Sequence, residues 1–129
     1  MERSEVISIL KNREMLLCDC RQRRKTQLLE KERVEKESAW GNKERLNKLY
    51  ETALREIDEE EEKIDYVWFY FLQLPTDLHM LLEELYVKQS GWEYVLQEFP
   101  GSKNKLMEQK NIALHQIVTK MNQKGGVKG

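Results

Sequence analysis

The residues of this sequence best suited to recognising a charged ligand lie just after a Pro-Gly pair, within positions 102–110. Lysine and asparagine side chains there can donate to guanine, adenine or phosphate, and the free N–H groups of a helix start also attract phosphate. Glu108 repels phosphate, but its carboxylate can accept from a cytosine amino group and so discriminate between bases. The candidate DNA-binding residues are Ser102, Lys103, Asn104, Lys105, Met107, Glu108 and Lys110. The alternative interpretation is a solvated helix start in an ordinary helical domain.

Other reactive residue types do not form a recognisable site. Cys18 and Cys20 point to different sides of a helix and cannot form a disulfide without distortion, so we expect reduced thiols. His79 and His115 show no zinc-ligand spacing. The acidic run 58–62 lacks the glycine and alternating oxygen ligands of a calcium loop, which favours a solvated helix face. The sequence also contains no nucleophile elbow, no phosphate-binding loop and no cofactor-binding fingerprint. We therefore expect no enzyme, no cofactor and no metal.

Charge is unevenly distributed along the 129 residues. The chain holds 22 Lys and Arg against 23 Asp and Glu, and this net charge of −1 by itself argues against nucleic acid. Residues 102–129, however, contain six lysines and one glutamate, and a second basic cluster occupies residues 21–25. Such clusters are compatible with phosphate binding, although a solvated helix face has the same composition. No run of about 18 apolar residues is present, so we expect no membrane span.

The elements that position these residues are expected to be helices, because the chain has only two prolines and six glycines. Residues 4–37 contain neither and are rich in strong helix formers. An early apolar stripe consists of Val6, Leu10 and Leu17. Residues 38–42 predict a break, in which Gly41 ends the first helix and Asn42 caps the next.

The second helix has the clearest periodicity. Its inward positions alternate steps of four and three residues, a heptad seam with one polar interruption at Glu60. The seam comprises Leu46, Tyr50, Ala53, Ile57, Glu60, Ile64, Val67 and Phe71. A helix over residues 42–72 is about 45 Å long, so we expect it to pack against the first helix as a hairpin or against a second chain. In an antiparallel hairpin Glu60 lies near residues 21–25, whose basic side chains can offset its charge. Residues 68–71 form an aromatic block, for which core packing and an exposed contact with a second copy or a polymerase both remain open.

Shorter helices follow Leu74-Pro75, which ends the long helix because the residue before proline is pushed out of the helical region. Thr76 is the expected N-cap of a helix that ends near Lys88, and residues 89–91 form a turn. The expected inward residues of this helix are Leu78, Leu81, Leu82 and Leu85.

A helix, a tight break and a longer helix complete the chain. Residues 92–99 predict a two-turn helix, Pro100-Gly101 the break, and Ser102 the N-cap of the longer helix. The expected inward residues of the two helices are Val95, Leu96, Phe99, Leu106, Ile112, Ala113, Leu114 and Ile117. Residues 123–129 predict a flexible basic tail.

A longer pattern of residues surrounds the Pro-Gly break. It comprises Leu74-Pro75, Tyr86, Trp92-Glu93-Tyr94-Val95-Leu96, Ser102-Lys103-Asn104-Lys105-Leu106 and Ala113-Leu114. In this order the segment resembles region four of bacterial sigma factors, whose slots are Leu-Pro, Tyr, Trp-Glu-x-Ile-Ala, Ser-Arg-Ser-Thr-Val and Ala-Leu. The resemblance implies a helix-turn-helix domain that contacts DNA through its recognition helix. The DNA-facing slots of that family correspond to Lys103, Asn104, Lys105, Met107 and Glu108.

The chain departs from the family pattern at the turn and on the recognition helix. Pro100-Gly101 stands where the family has glycine followed by an aliphatic residue. Lysines stand where the family commonly has arginines. Because lysine is a poorer bidentate reader of guanine than arginine, we expect weaker base specificity.

The whole layout is similar to small phage-encoded transcriptional regulators of the ArpU and RinA type. We therefore expect an all-α protein with a coiled-coil-like helical arm over residues 1–73, a helix-turn-helix domain over 74–122 and the tail. The expected partners are double-stranded DNA and a second copy bound through the arm, with RNA polymerase as a further candidate, in the cytoplasm of a bacterial host. One alternative is a coiled-coil interaction protein that binds RNA polymerase without DNA contact. Another is the DNA-recognition subunit of a phage packaging terminase.

Overall fold

The computed structural model describes residues 1–37 and 40–127, with side chains for residues 1–36 and 43–123. Within these ranges the chain forms helices and no strand, which confirms the predicted all-α class. The elements are α1 (Arg3–Glu37), α2 (Trp40–Leu72), α3 (Thr76–Leu82), a π-helical segment (Glu83–Val87), α4 (Trp92–Glu98) and α5 (Lys103–Val127). None of these helices combines the length and the apolar character needed to cross a bilayer.

The helices are divided between two compact units. The arm unit comprises Glu14–Ile64, and the head unit comprises Met1–Arg13 together with Asp65–Gly129. The sequence instead predicted an arm over residues 1–73 followed by a helix-turn-helix domain over 74–122 and a tail, because local periodicity cannot reveal contacts between distant parts of the chain. Two such contacts hold the N-terminus in the head unit. The Met1 amino group donates to Asn122 Oδ1 at 2.8 Å, and the Arg13 guanidinium lies 4.6 Å from the ring centroid of Trp68.

The arm unit is a helical hairpin whose interior follows the predicted heptad seam. Ile57 and Ile64 are buried, and the other seam positions in this unit are half-buried. On α1 the facing side chain of Cys20 is fully buried. This burial, followed by the nearby Glu60 carboxylate, raises the pKa of the Cys20 thiol. The thiol therefore stays protonated and packs as a small apolar group.

Ion pairs between the two helices of the arm unit offset the negative charge of Glu60, the polar residue in the heptad seam. Arg23 Nη2 donates to Glu60 Oε2, which confirms the expected basic partner for Glu60. Arg24 donates to Glu61 Oε1 at 2.9 Å and to Asp58 Oδ1 at 2.7 Å. Arg23 and Arg24 of the basic cluster are thus engaged with carboxylates, and their clearest role is to join the hairpin.

Two predicted helix starts are wrong. Helix α2 begins at Trp40, so Gly41 and Asn42 lie inside it and neither ends α1 nor caps α2. Thr76 is the first residue of α3 rather than its cap, and the preceding Pro75 makes no side-chain capping hydrogen bond. Proline is well suited to a helix start, because a helix leaves its first N–H groups without intrahelical acceptors.

The end of the chain and the aromatic block also differ from expectation. Helix α5 continues through Val127, so residues 123–127 are helical, whereas the sequence predicted a flexible tail. Residues 38, 39, 128 and 129 lie outside the described residues. In the aromatic block Phe71 is buried and Trp68 is half-buried, but Phe69 is exposed. Core packing therefore accounts for only part of the block.

Candidate nucleic-acid interface

A small apolar core joins α3, α4 and α5 in the head unit. It consists of Leu81, Val95 and Leu106, one buried side chain from each helix. Leu85, Trp92 and Phe99 pack against this cluster and are partly buried. Trp92 and Val95 lie three positions apart on α4 and share a helix face, which explains why they reach the core together, and Phe99 follows as the C-cap residue of α4. This shared core positions the start of α5 beside α4.

The break between α4 and α5 depends on Gly101. Its φ of +116° belongs to a region that side-chain-bearing residues rarely adopt. A Cβ at this position would lie 3.4 Å from Lys105 Cδ, at the closest limit of ordinary contact. Ser102 follows as the N-cap of α5, because its Oγ accepts from the Lys105 N–H at 3.3 Å. The predicted break at Pro100-Gly101 and the predicted Ser102 cap are therefore confirmed.

The structure brings the predicted DNA-binding residues together at the first two turns of α5. The exposed members are Ser102, Lys103, Asn104, Lys105, Met107 and Glu108. Lys110 is different, because it is half-buried and lies on the inward side of the helix, four residues after buried Leu106 and three before buried Ala113. We therefore exclude Lys110 from the outward face of α5.

Charge on this outward face is mixed. The Lys103 ammonium lies 5.9 Å from the centroid of the Trp92 ring, which connects the start of α5 to the start of α4. A cation–π contact at an exposed site contributes about 0.5–1 kcal/mol, so it restrains Lys103 without removing it from solvent. Lys105 adds a second positive charge, and Glu108 places one negative charge between them and the rest of the helix.

Two residues that were predicted to face inward are on the surface. Leu96 of α4 is 39% exposed and Ile112 of α5 is 52% exposed. Leu96 is adjacent to buried Val95, and neighbouring positions on a helix point about 100° apart, so only one of them reaches the core. Ile112 and the exposed His115 follow Glu108 at helical spacing and extend the outward face of α5. The helical period measured from Val95 on α4 and from Leu106 on α5 would have identified Leu96 and Ile112, respectively, as surface residues.

The turn before α4 is closed by Glu84 of the π-helical segment. The Ser90 hydroxyl donates to Glu84 Oε2 at 2.7 Å, and Lys88 Nζ donates to Oε1 at 3.1 Å. These two hydrogen bonds, the Ser90 bond first, lower the pKa of the Glu84 carboxylate. The Ser90 N–H also donates to the Glu84 carbonyl oxygen at 2.9 Å. Hydrogen bonds from both the side chain and the backbone of Ser90 therefore hold the turn that leads into α4.

His79 has a structural place in the head unit. His79 stacks on Phe71 with 4.3 Å between ring centroids, and its Nδ1 lies 3.1 Å from the Phe71 carbonyl oxygen. Among residues 1–37 and 40–127, no three or more His, Cys, Asp or Glu side chains are grouped to hold a metal ion.

Comparison of the chain with known proteins adds no relative. No protein-family model, curated protein or solved structure matches it. The sigma-like interpretation consequently depends on the order of residues and on the geometry of α3, α4 and α5.

Proposed function

We propose that this chain is a DNA-binding transcriptional regulator, phage-encoded and sigma-like, that contacts promoter DNA with the start of α5. The observation that carries the proposal is the exposed, lysine-bearing first turn of α5, which Ser102 caps and the Leu81–Val95–Leu106 core holds in place. A short helix, a glycine-dependent break and a second helix with polar residues at its start are typical of DNA-reading helix-turn-helix units.

Each exposed residue has a chemical role in this proposal. Lys103 and Lys105 donate to phosphate or to guanine, and Asn104 donates to and accepts from adenine. Glu108 accepts a hydrogen bond from the cytosine amino group. Its negative charge repels phosphate, which disfavours its other contacts with DNA. Because lysine does not form the planar bidentate pair that arginine forms, most of the affinity comes from phosphate contacts and depends strongly on salt.

The proposal is tested by measuring binding to a phage promoter fragment between 50 and 200 mM salt. The double variant Lys103→Ala, Lys105→Ala should weaken binding and reduce the slope of log K against log salt by about 1.8, because each phosphate contact contributes about 0.9. The matched control is Lys11→Ala with Lys120→Ala, which removes two exposed lysines from other places in the head unit. Circular dichroism confirms that all variants are folded. A folded wild-type protein that fails to bind at low salt, or equal weakening by the control, excludes this interface.

We further propose that the arm unit joins two copies of the chain. Leucines outside the heptad seam remain largely exposed on both of its helices: Leu28, Leu29 and Leu49. An exposed apolar surface of this kind favours association. Association into a dimer through the arm unit supports the proposal of a regulator. Association into a larger ring supports the alternative of a packaging subunit.

A further inference from the structure

A second surface of the head unit has the opposite charge from the start of α5. A cavity of about 370 Å³ lies between α3 and α4 and is open to solvent. Its lining includes residues from α3, the π-helical segment, α4 and the turn after α4, and none from α5. The volume is in the range of ordinary ligand pockets, which is about 300–1,000 Å³. We call this cavity the α3–α4 groove.

Negative charge dominates the α3–α4 groove. Asp77, Glu84 and Glu98 line it, and its lining contains neither lysine nor arginine. Glu84 already accepts from Lys88 and Ser90. Asp77 and Glu98 are exposed and form no ion pair with any other residue whose side chain the structure describes. A groove with two uncompensated carboxylates repels nucleic-acid phosphate and attracts a cationic partner.

The groove also presents apolar side chains to solvent. Met80 is 49% exposed and Tyr94 is 43% exposed, and Phe99 contributes a half-buried ring. Methionine is adaptable and adjusts to irregular partner surfaces, and tyrosine and methionine are enriched in protein–protein interfaces. Apolar groups bordered by carboxylates match a helix that carries apolar residues on one face and lysine or arginine beside them.

We propose that the α3–α4 groove binds a cationic amphipathic helix of a partner protein. Met80 and Tyr94 contact the apolar face of that helix, and Asp77 and Glu98 pair with its basic residues. The carboxylates exclude DNA from the groove, so it differs in kind from the lysine-bearing start of α5. The inference does not depend on DNA binding.

The test uses the full chain labelled with ¹⁵N and a synthetic helical peptide with leucines at i, i+3, i+4 and i+7 and lysines between them. We expect saturable amide shifts in α3 and α4, centred on Met80 and Tyr94. The variant Asp77→Asn, Glu98→Gln should bind about fivefold more weakly, as expected for the loss of two partly exposed charge pairs. The control Glu93→Gln, Glu2→Gln removes two exposed acids elsewhere, and Glu93 lies in the first turn of α4 as Asp77 lies in the first turn of α3. This control should bind the peptide as the wild type does.

Several outcomes overturn the proposal. They are no saturable binding at millimolar peptide, shifts centred on the arm unit, equal binding of a peptide with glutamates in place of lysines, and equal affinity for the groove variant and its control. Concentration-dependent shifts of the same amides without peptide mean that a second copy occupies the groove, which also overturns it. The groove variant should keep its DNA affinity, and Lys103→Ala with Lys105→Ala should keep peptide affinity, so failure of one proposal is distinguishable from failure of the other.

Discussion

The core that holds the start of α5 yields a quantitative prediction for Leu106→Ala. Leu106 is 1% exposed, so the substitution removes three carbon groups from a dry site and loses about 2.4 kcal/mol at about 0.8 kcal/mol per group. The cavity left among Leu81 and Val95 adds to this, because the three helices relax only partly. We therefore expect a total cost of about 3–4 kcal/mol in the free energy of unfolding.

Leu96→Ala is the matched control, since it makes the same chemical change on the neighbouring helix. Leu96 is 39% exposed, and alanine is the better helix former, so its cost should be about 1.5 kcal/mol or less. Urea unfolding followed by circular dichroism and tryptophan fluorescence measures both values. Leu106→Ala should also lose DNA affinity, because the anchor of α5 is weakened, whereas Leu96→Ala should retain it. Costs that agree within about 0.5 kcal/mol would refute the assignment of Leu106 to the core.

Two further predictions concern the arm unit. The hydrogen bond from Arg24 is the main reason that the pKa of the Glu61 carboxylate is lowered, so this stabilisation is complete above the ordinary carboxylate value of about 4.3 and is lost as the pH falls below it. Unfolding measured between pH 6 and 3 should show this loss in the wild type and less of it in Arg24→Met, and identical pH profiles would contradict the ion-pair account. The exposed leucines predict a dimer of the 15.5 kDa chain in sedimentation equilibrium, and Leu28→Gln, Leu29→Gln and Leu49→Gln together should yield monomer. A monomeric wild type at micromolar concentration would count against association through the arm.

Local features of the sequence were sufficient to predict several parts of this fold. The heptad seam of α2 follows from the helical period, and Ile57 and Ile64 are indeed buried on it. The break at Pro100-Gly101 and the Ser102 cap follow from backbone preferences that operate within a few residues. The Arg23–Glu60 pair was also accessible, because an antiparallel hairpin of the two long helices places residues 21–25 beside Glu60.

The placement of single residues on the short helices was less predictable. Leu96 and Ile112 are apolar and lie beside buried positions, yet they are exposed because a narrow helix face carries the whole contact with the core. Lys110 is of a residue type that commonly binds DNA, but it lies on the inward side of α5. Residue type alone therefore assigned Leu96 and Ile112 to the wrong side of their helices, and it did not reveal the inward position of Lys110.

The sequence by itself determined the all-α class, the long seam, the glycine break and the cap, since each depends on interactions between near neighbours. Only the tertiary structure decided that Met1–Arg13 belongs with the C-terminal helices, through contacts such as that between Met1 and Asn122. It also brought Asp77 and Met80 of α3 beside Tyr94 and Glu98 of α4. Which polar side chains meet depends on how distant segments pack against a shared apolar core. No hydrophobic period along the sequence predicts that packing.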